Sequence, residues 1–304
     1  MVSRKLLGVH VFQKLGEIDN QKELLEIQHL SALSWKRLYG RIYLYTNEEW
    51  LKEIEALGFD TVYDKIDTKA LSTIPKEVNQ KVYWAYGKLH VSSLIDEDEF
   101  VLIDNDLWIN EELNFDSTMS FMGYHYENFN QKDPSTPYVD FDNLIPSKYI
   151  GRWNKKLMAT NCALLWINNK ELKNQWLSIA KDIATNPDQV EIEDPSNVRK
   201  MIFIEQRLLP MISEEMNLPY SVFMTTPVYQ AASLESFDGN VWDPKPENWT
   251  NEITERFLSI RHIWGGKKLW NDYPEVKAAQ LNVVYEDLTR ISKIENDGKS
   301  YTKS

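Results

Sequence analysis

Glu99-Phe100-Val101-Leu102-Ile103-Asp104-Asn105-Asp106-Leu107-Trp108 is the stretch on which the fold of this chain turns. Four consecutive apolar residues, bounded by charge on both sides, predict a fully buried strand. The strand stops on two carboxylates held one residue apart. Side chains two apart on extended backbone point the same way, which aims Asp104 and Asp106 at one ion. Carboxylate oxygens suit Mg or Mn, hard cations that proteins usually share with substrate phosphates. The same three residues also suit a polar turn that merely bends the chain.

Outward from this stretch, strands and helices alternate. Residues 5–12 predict a first buried strand. Asn20-Gln21-Lys22-Glu23 reads as a capping box before a helix striped by Leu24, Ile27, Leu30 and Leu33, which Gly40 closes. Arg41 to Tyr45 is a second strand, and Thr46-Asn47-Glu48-Glu49 a second capping box, opening a helix that buries Trp50, Leu51, Ile54 and Leu57. A third strand over 59–63 and a helix over about 78–95 precede the acidic strand. This alternation predicts an α/β fold with a mostly parallel central sheet flanked by helices. In such sheets the ligand sits beyond the carboxyl ends of the strands, where Asp104 and Asp106 fall.

The second half is less regular. Strands are expected at 118–124, 162–167 and 220–224, and helices at about 169–184, 197–216 and 274–294. A long polar loop over 127–155, an acidic loop over 188–194 and a loop with Pro244 and Pro246 separate them. A loop as long as 127–155 is often a lid or binding loop, or else simply mobile. Without an internal repeat or low-complexity linker, one domain over 1–295 with a polar tail over 296–304 is the simplest account.

A net charge of −12 argues against binding nucleic acid or an anionic membrane through a general basic field. The one cysteine, Cys162, excludes an internal disulfide and fits a reducing compartment. The apolar run near Met1 is too short for a signal peptide, and no stretch approaches the ~20 apolar residues of a membrane helix. A soluble, cytoplasmic protein is expected. Most of the 11 Trp and 15 Tyr are expected in the core or in interfaces, but aromatic-rich clefts also stack against sugars and bases.

The second informative stretch is Arg261-His262-Ile263-Trp264-Gly265-Gly266-Lys267-Lys268-Leu269-Trp270. Histidine supplies a neutral nitrogen ligand, glycines let backbone approach a phosphate, and lysines offer charge to a leaving diphosphate. Alone, it reads equally well as a surface turn with solvated lysines. Of the other histidines, His10, His29 and His90 fall within predicted strands or helices and read as packed or surface residues. His125 follows a strand end and stays ambiguous. Cys162 lacks any motif that marks a nucleophile.

Taken together, the acidic strand and the 261–270 stretch resemble the retaining nucleotide-sugar glycosyltransferases of family eight, the glycogenin-like and galactosyltransferase-like enzymes. Their closing pattern is H-x-x-G-x-x-K-P-W, and His262, Gly265, Lys268 and Trp270 fall in register, with Leu269 replacing proline. The chain also resembles a bacterial group of glycosyltransferase-like proteins with W-A-x-x-K-L before the acidic strand, here Trp84 to Leu89.

This resemblance implies a GT-A-type fold with a nucleotide-binding half over 1–107, a donor-sugar and acceptor half over 108–270 and a closing helix over 271–295. It implies a nucleoside-diphosphate sugar donor, UDP-sugar first, a carbohydrate acceptor such as bacterial polysaccharide, and Mn or Mg held by Asp104, Asp106 and His262. Asp104, Asn105, Gly265 and Lys268 would meet the diphosphate side of the donor. Lys88 takes the place of a basic residue that contacts nucleotide, and Asn161 that of an Asn-Ala-Gly segment at the donor sugar, with Ala163 in place of glycine. Glu205 and Gln206 match a later Asp-Gln pair whose glutamine faces the reacting carbon. After the first strand the family has an acidic or amide residue and a tyrosine. Here Phe12-Gln13-Lys14 stands instead, leaving Phe12 to stack on the base. The alternative is a GT-A-like module that binds nucleotide or glycan without turnover.

Overall fold

A computed structural model of the chain describes residues 5–13, 18–127, 141–186, 196–224, 260–263, 270–272 and 274–301. The first strand, β1 (Leu7–Val11), is followed by helix α1 (Gln21–Tyr39), strand β2 (Arg41–Tyr45) and helix α2 (Glu48–Ala56). Strand β3 (Lys65–Asp67), helix α3 (Tyr86–Leu94) and strand β4 (Phe100–Ile103) complete the first half. Then come β5 (Leu107–Ile109), β6 (Phe121–Glu127), β7 (Ala159–Thr160), β8 (Leu164–Ile167) and α4 (Lys170–Ala184). The described chain ends with α5 (Ser196–Ile202), a π-helical turn (Phe203–Arg207), α6 (Leu208–Glu215), β9 (Tyr220–Met224), β10 (Ile260–His262) and α7 (Pro274–Tyr301).

The sheet runs β3-β2-β1-β4-β8-β6-β7, with β9 on β6. β1, β2, β3 and β4 pair in parallel, β8 lies antiparallel between β4 and β6, and β9 returns parallel to β6. The fold is thus the α/β class expected from the sequence, its sheet mainly parallel. Phe100, Val101, Leu102 and Ile103 are buried throughout, as a strand lying between two others requires. The parallel half stacks its carboxyl ends on one edge, where β1 and β4 are neighbours. β5 leaves the main sheet and pairs antiparallel with β10.

One close approach fixes how α1 covers the sheet. Trp35 lies over Gly8, so a Cβ there would clash with the indole ring, and the Trp35 Nε1 donates to Arg41 O at 2.9 Å. Glycine at that position lets the helix settle against β1. A second layer forms where α7 packs on α1. Ile27, Leu30, Trp108, Trp270, Val284 and Ile291 form one buried cluster.

Several local expectations are corrected. Asn20 makes no side-chain cap on α1; its backbone is left-handed and its Oδ1 accepts from Lys277 on α7 at 2.6 Å. The cap of α2 is Asn47 rather than Thr46, its side chain accepting from Trp50 N at 3.0 Å. The strand expected at 59–63 is instead a 3-10 turn at Asp60–Val62, and pairing with β2 occurs at β3. Helix α3 starts at Tyr86 rather than near 78, because the preceding residues close a series of turns, with Val82 N and Tyr83 N bonded to Asn79 O. The helix expected over 197–216 widens into a π turn at Phe203–Arg207. The closing helix runs on to Tyr301, past the expected start of a tail at Asn296. Residues 188–194, residues 128–140 of the 127–155 loop, and the segment with Pro244 and Pro246 lie outside the described residues.

Candidate metal and donor cleft

The acidic pair lies where the sheet order predicts, but not on extended backbone. Strand β4 ends at Ile103, and Leu107 N donates to Asp104 O at 3.1 Å, closing a turn over 104–107. The turn, rather than strand alternation, brings Asp104 and Asp106 together. Its position is locked twice: Asp104 N donates to Ala163 O at 2.7 Å, and Asn105 Nδ2 donates to Val11 O at 3.0 Å. The turn is therefore tied to β1 on one side and to the start of β8 on the other.

His262 arrives from 156 residues downstream. Its strand, β10, sets Ile260, Arg261 and His262 opposite Ile109, Trp108 and Leu107, and Ile263 N donates to Asp106 O at 3.0 Å. This register leaves His262 Nε2 at 3.3 Å from Asp106 Oδ1, with Tyr124 edge-on to the imidazole. One ligand atom from each of Asp104, Asp106 and His262 lies within 4.8 Å of the others. Two carboxylates and an imidazole nitrogen converging on one point fit a divalent cation, with hard oxygen donors predominating as Mg or Mn prefers.

The ladder that carries these ligands is braced from behind. Asp287 on α7, 5% exposed, accepts from Trp108 Nε1 at 2.9 Å and lies 3.3 Å from the Arg261 guanidinium. Trp108 and Arg261 are register partners on β5 and β10. One buried carboxylate thus clamps both strands next to the residues that face the cleft.

Lys88, on the first turn of α3, bridges Asp104 and Glu205, reaching the Glu205 carboxylate at 3.0 Å. Burial by itself lowers an ammonium's pKa, but the two carboxylates more than offset it and raise Lys88 above the ordinary lysine range. Glu205, 6% exposed, moves up instead: burial and Asp104 outweigh the pull of Lys88. Glu205 owes its place to the π turn, where the ladder's extra residue shifts side chains relative to an α-helix.

The remaining predicted residues fall as follows. Asn161 and Gln206 line the same cleft of about 420 Å³ as Asp104, Asn105, Asp106 and His262. Asn161 is held by its own neighbours: Oδ1 accepts from Ala163 N at 2.9 Å and Nδ2 donates to Glu127 Oε1 at 2.7 Å. Phe12 lines the cleft too, yet stacks on Trp50 at 4.4 Å and 14°, so one ring face belongs to the core. Gly265 and Lys268 lie outside the described residues. His10 is buried and bonded to Ser31 Oγ and the Tyr63 hydroxyl, as a packed histidine. Buried Cys162 places its Sγ at 3.2 Å from Glu205 O. Trp84 and Gln13 also line the cleft without having been singled out for it. One Trp among 11 carries no sequence mark that separates a cleft wall from a core residue.

Fold and site together define an α/β protein with an acidic, metal-competent cleft at the carboxyl edge of its parallel strands. No protein-family model matches the chain, and no curated protein matches it. Among solved structures, it is similar to the galactosyltransferase LgtC in complex with donor and acceptor sugar analogues, at 12% identity and a TM-score of 0.46, over 90% of this chain and 96% of that one. It is also similar to the glycosyltransferase GlyE of Streptococcus pneumoniae TIGR4, at 14% identity and a TM-score of 0.44, over 92% of this chain but only 64% of GlyE. PaToxG glycosyltransferase matches at 11% identity and a TM-score of 0.42, over 90% of this chain and 87% of that one. These are likenesses of chain course. No helix among the described residues is long and apolar enough to cross a membrane.

Proposed function

We propose that this chain is a GT-A-type glycosyltransferase that uses a nucleoside-diphosphate sugar, UDP-sugar first, with Mn or Mg at Asp104, Asp106 and His262. The observation that carries this reading is the convergence of those side chains, a close pair at 104 and 106 and a distant histidine at 262, within 4.8 Å at the carboxyl edge of the sheet. Its second support is the resemblance of the two motifs to family eight, in which transfer retains the anomeric configuration.

In this reading Asp104, Asp106 and His262 would hold the metal, which would supply positive charge against the donor's diphosphate. Lys88 holds Asp104 and Glu205 in fixed orientation, so that the carboxylates do not reorganise as charge develops. Asn161 and Gln206 line the sugar end of the cleft, Gln206 facing the reacting carbon. By sequence, Lys268 and the backbone at Gly265 add positive potential to the leaving diphosphate. The acceptor is a carbohydrate hydroxyl.

Asp106→Asn keeps the shape of the side chain and removes its charge. Metal-dependent release of sugar from a panel of nucleoside-diphosphate sugars is expected to fall at least ~100-fold, as for loss of a principal electrostatic group. The rise in melting temperature with Mn plus nucleoside diphosphate is expected to vanish in parallel. Unchanged donor hydrolysis in Asp106→Asn, measured beside an equally folded wild type, would sink the proposal.

A further inference from the structure

The cleft lining is chemically mixed. Asn161, Glu205 and Gln206 line it beside the acidic group, and so do the apolar residues Phe12, Leu24, Ile27, Trp84 and Ala85. A nucleoside-diphosphate sugar carries the same two characters, a flat aromatic base and a hydroxyl-rich ring. Resting on the donor reading above, the base belongs against apolar lining.

Phe12 is the aromatic that sequence position favours for stacking there, but Trp50 already occupies one of its faces. Trp84 differs from its neighbours. Tyr83 and Tyr86, on either side, are buried at 2% and 3%, whereas Trp84 is 43% exposed while still lining the cleft. An indole on a cleft wall presents a broad flat apolar face on which another flat ring can stack.

Gly87, three residues on, sets how closely this segment meets the end of β1. A Cβ built there would stand 3.3 Å from Gln13 Oε1 and 3.5 Å from Val11 Cγ1, so the start of α3 abuts the end of β1. Gln13 lines the cleft at this point and is held in place by Gln80, to whose Oε1 its Nε2 donates at 2.7 Å. An amide braced in this way still offers an acceptor oxygen and a second N–H to a partner.

We propose that Trp84 is the stacking platform for the donor's nucleobase and that Gln13, braced by Gln80, meets the base edge. Stacking supplies affinity without discriminating between bases, and the amide supplies preference.

The test is calorimetric titration of UDP, ADP, GDP and CDP, each with Mn, into wild type, Trp84→Ala, Trp84→Phe and Gln13→Leu, with inorganic pyrophosphate plus Mn as the base-free probe. Trp84→Ala is expected to weaken the best nucleoside diphosphate roughly tenfold while leaving pyrophosphate affinity unchanged, and Trp84→Phe to recover most of the loss. Gln13→Leu is expected to narrow the spread among the four nucleotides. Equal nucleotide affinity in wild type and Trp84→Ala overturns the assignment, as does a parallel loss of pyrophosphate binding. If wild type binds pyrophosphate and Mn but none of the nucleotides better, the donor reading itself fails, a result distinct from failure of Trp84 alone.

Discussion

Lys88 lines the cleft and has partners there beyond its expected role. The resemblance implies a nucleotide contact; the structure gives the ammonium two carboxylate partners, Asp104 and Glu205. With its side chain 20% exposed and Glu205's only 8%, the pair is poorly screened, and removing the cation strands a buried carboxylate. Lys88→Gln is expected to cost roughly 3 kcal/mol of stability, read by urea denaturation. Because a positive charge beside a cation site opposes binding, the same variant is expected to bind Mn several-fold tighter, measured by calorimetry without nucleotide. An unchanged Mn affinity together with unchanged stability would show that Lys88 does not hold these carboxylates.

At the scale of elements, the metal-competent group depends on the small β5–β10 ladder, and that ladder depends on α7. Asp287 is its link, accepting from Trp108 and facing Arg261 across 3.3 Å. Asp287→Ala leaves the 15%-exposed Arg261 guanidinium without its main partner and frees Trp108 Nε1. A loss of about 3 kcal/mol in unfolding free energy is expected. Weaker Mn binding is expected with it, since His262 rides on the destabilised strand. Asp287→Asn, which keeps an acceptor for the indole, is expected to recover part of the stability. Identical loss in both variants would mean the charge, not the hydrogen bond, carries the brace.

Across the whole molecule, acid should act through histidines buried in the neutral state. Burial lowers His10 from 6.5 to about 3, partly opposed by the charge of Asp106, and lowers His29 from 6.5 to about 4. His29 stacks on Phe59 at 4.1 Å, and His10 is bonded through both ring nitrogens. Below pH 6.5 the unfolded chain binds protons that the folded chain refuses, so stability is full above that value and falls as pH drops toward 4. For these two histidines together the fall is expected to reach about 5 kcal/mol by pH 4.5. In His10→Asn the slope of stability between pH 6 and pH 4.5 is expected to shrink, measured by chemical denaturation at each pH; an unaltered slope would locate the acid sensitivity elsewhere.

What was legible in the chain follows local rules. Four apolar residues in a row at 100–103 suffice to predict a doubly covered strand, because burial on both faces leaves no polar alternation. The alternation of strands and helices before it is enough for a mainly parallel sheet, and the place of Asp104 and Asp106 at its carboxyl edge follows. His262 stands beside Gly265 and Lys268 in sequence, and its residue type alone makes it a ligand candidate.

Other features depend on contacts between distant residues. The turn at 104–107 replaces the extended backbone because Asn105 and Asp104 N are bonded to Val11 and Ala163, neither of them a sequence neighbour. Asn20 leaves its capping role because Lys277, 257 residues away, draws its side chain. Phe12 turns partly to the core because Trp50 stacks on it, and Trp84 is left in the cleft, a distinction that two aromatic letters cannot carry. The sequence by itself determined the sheet, its open edge and the identity of the acidic residues, since hydrophobic period and strand alternation are local. Only the tertiary structure decided which side chains meet at that edge, because register, long-range bonding and burial are set by partners far along the chain.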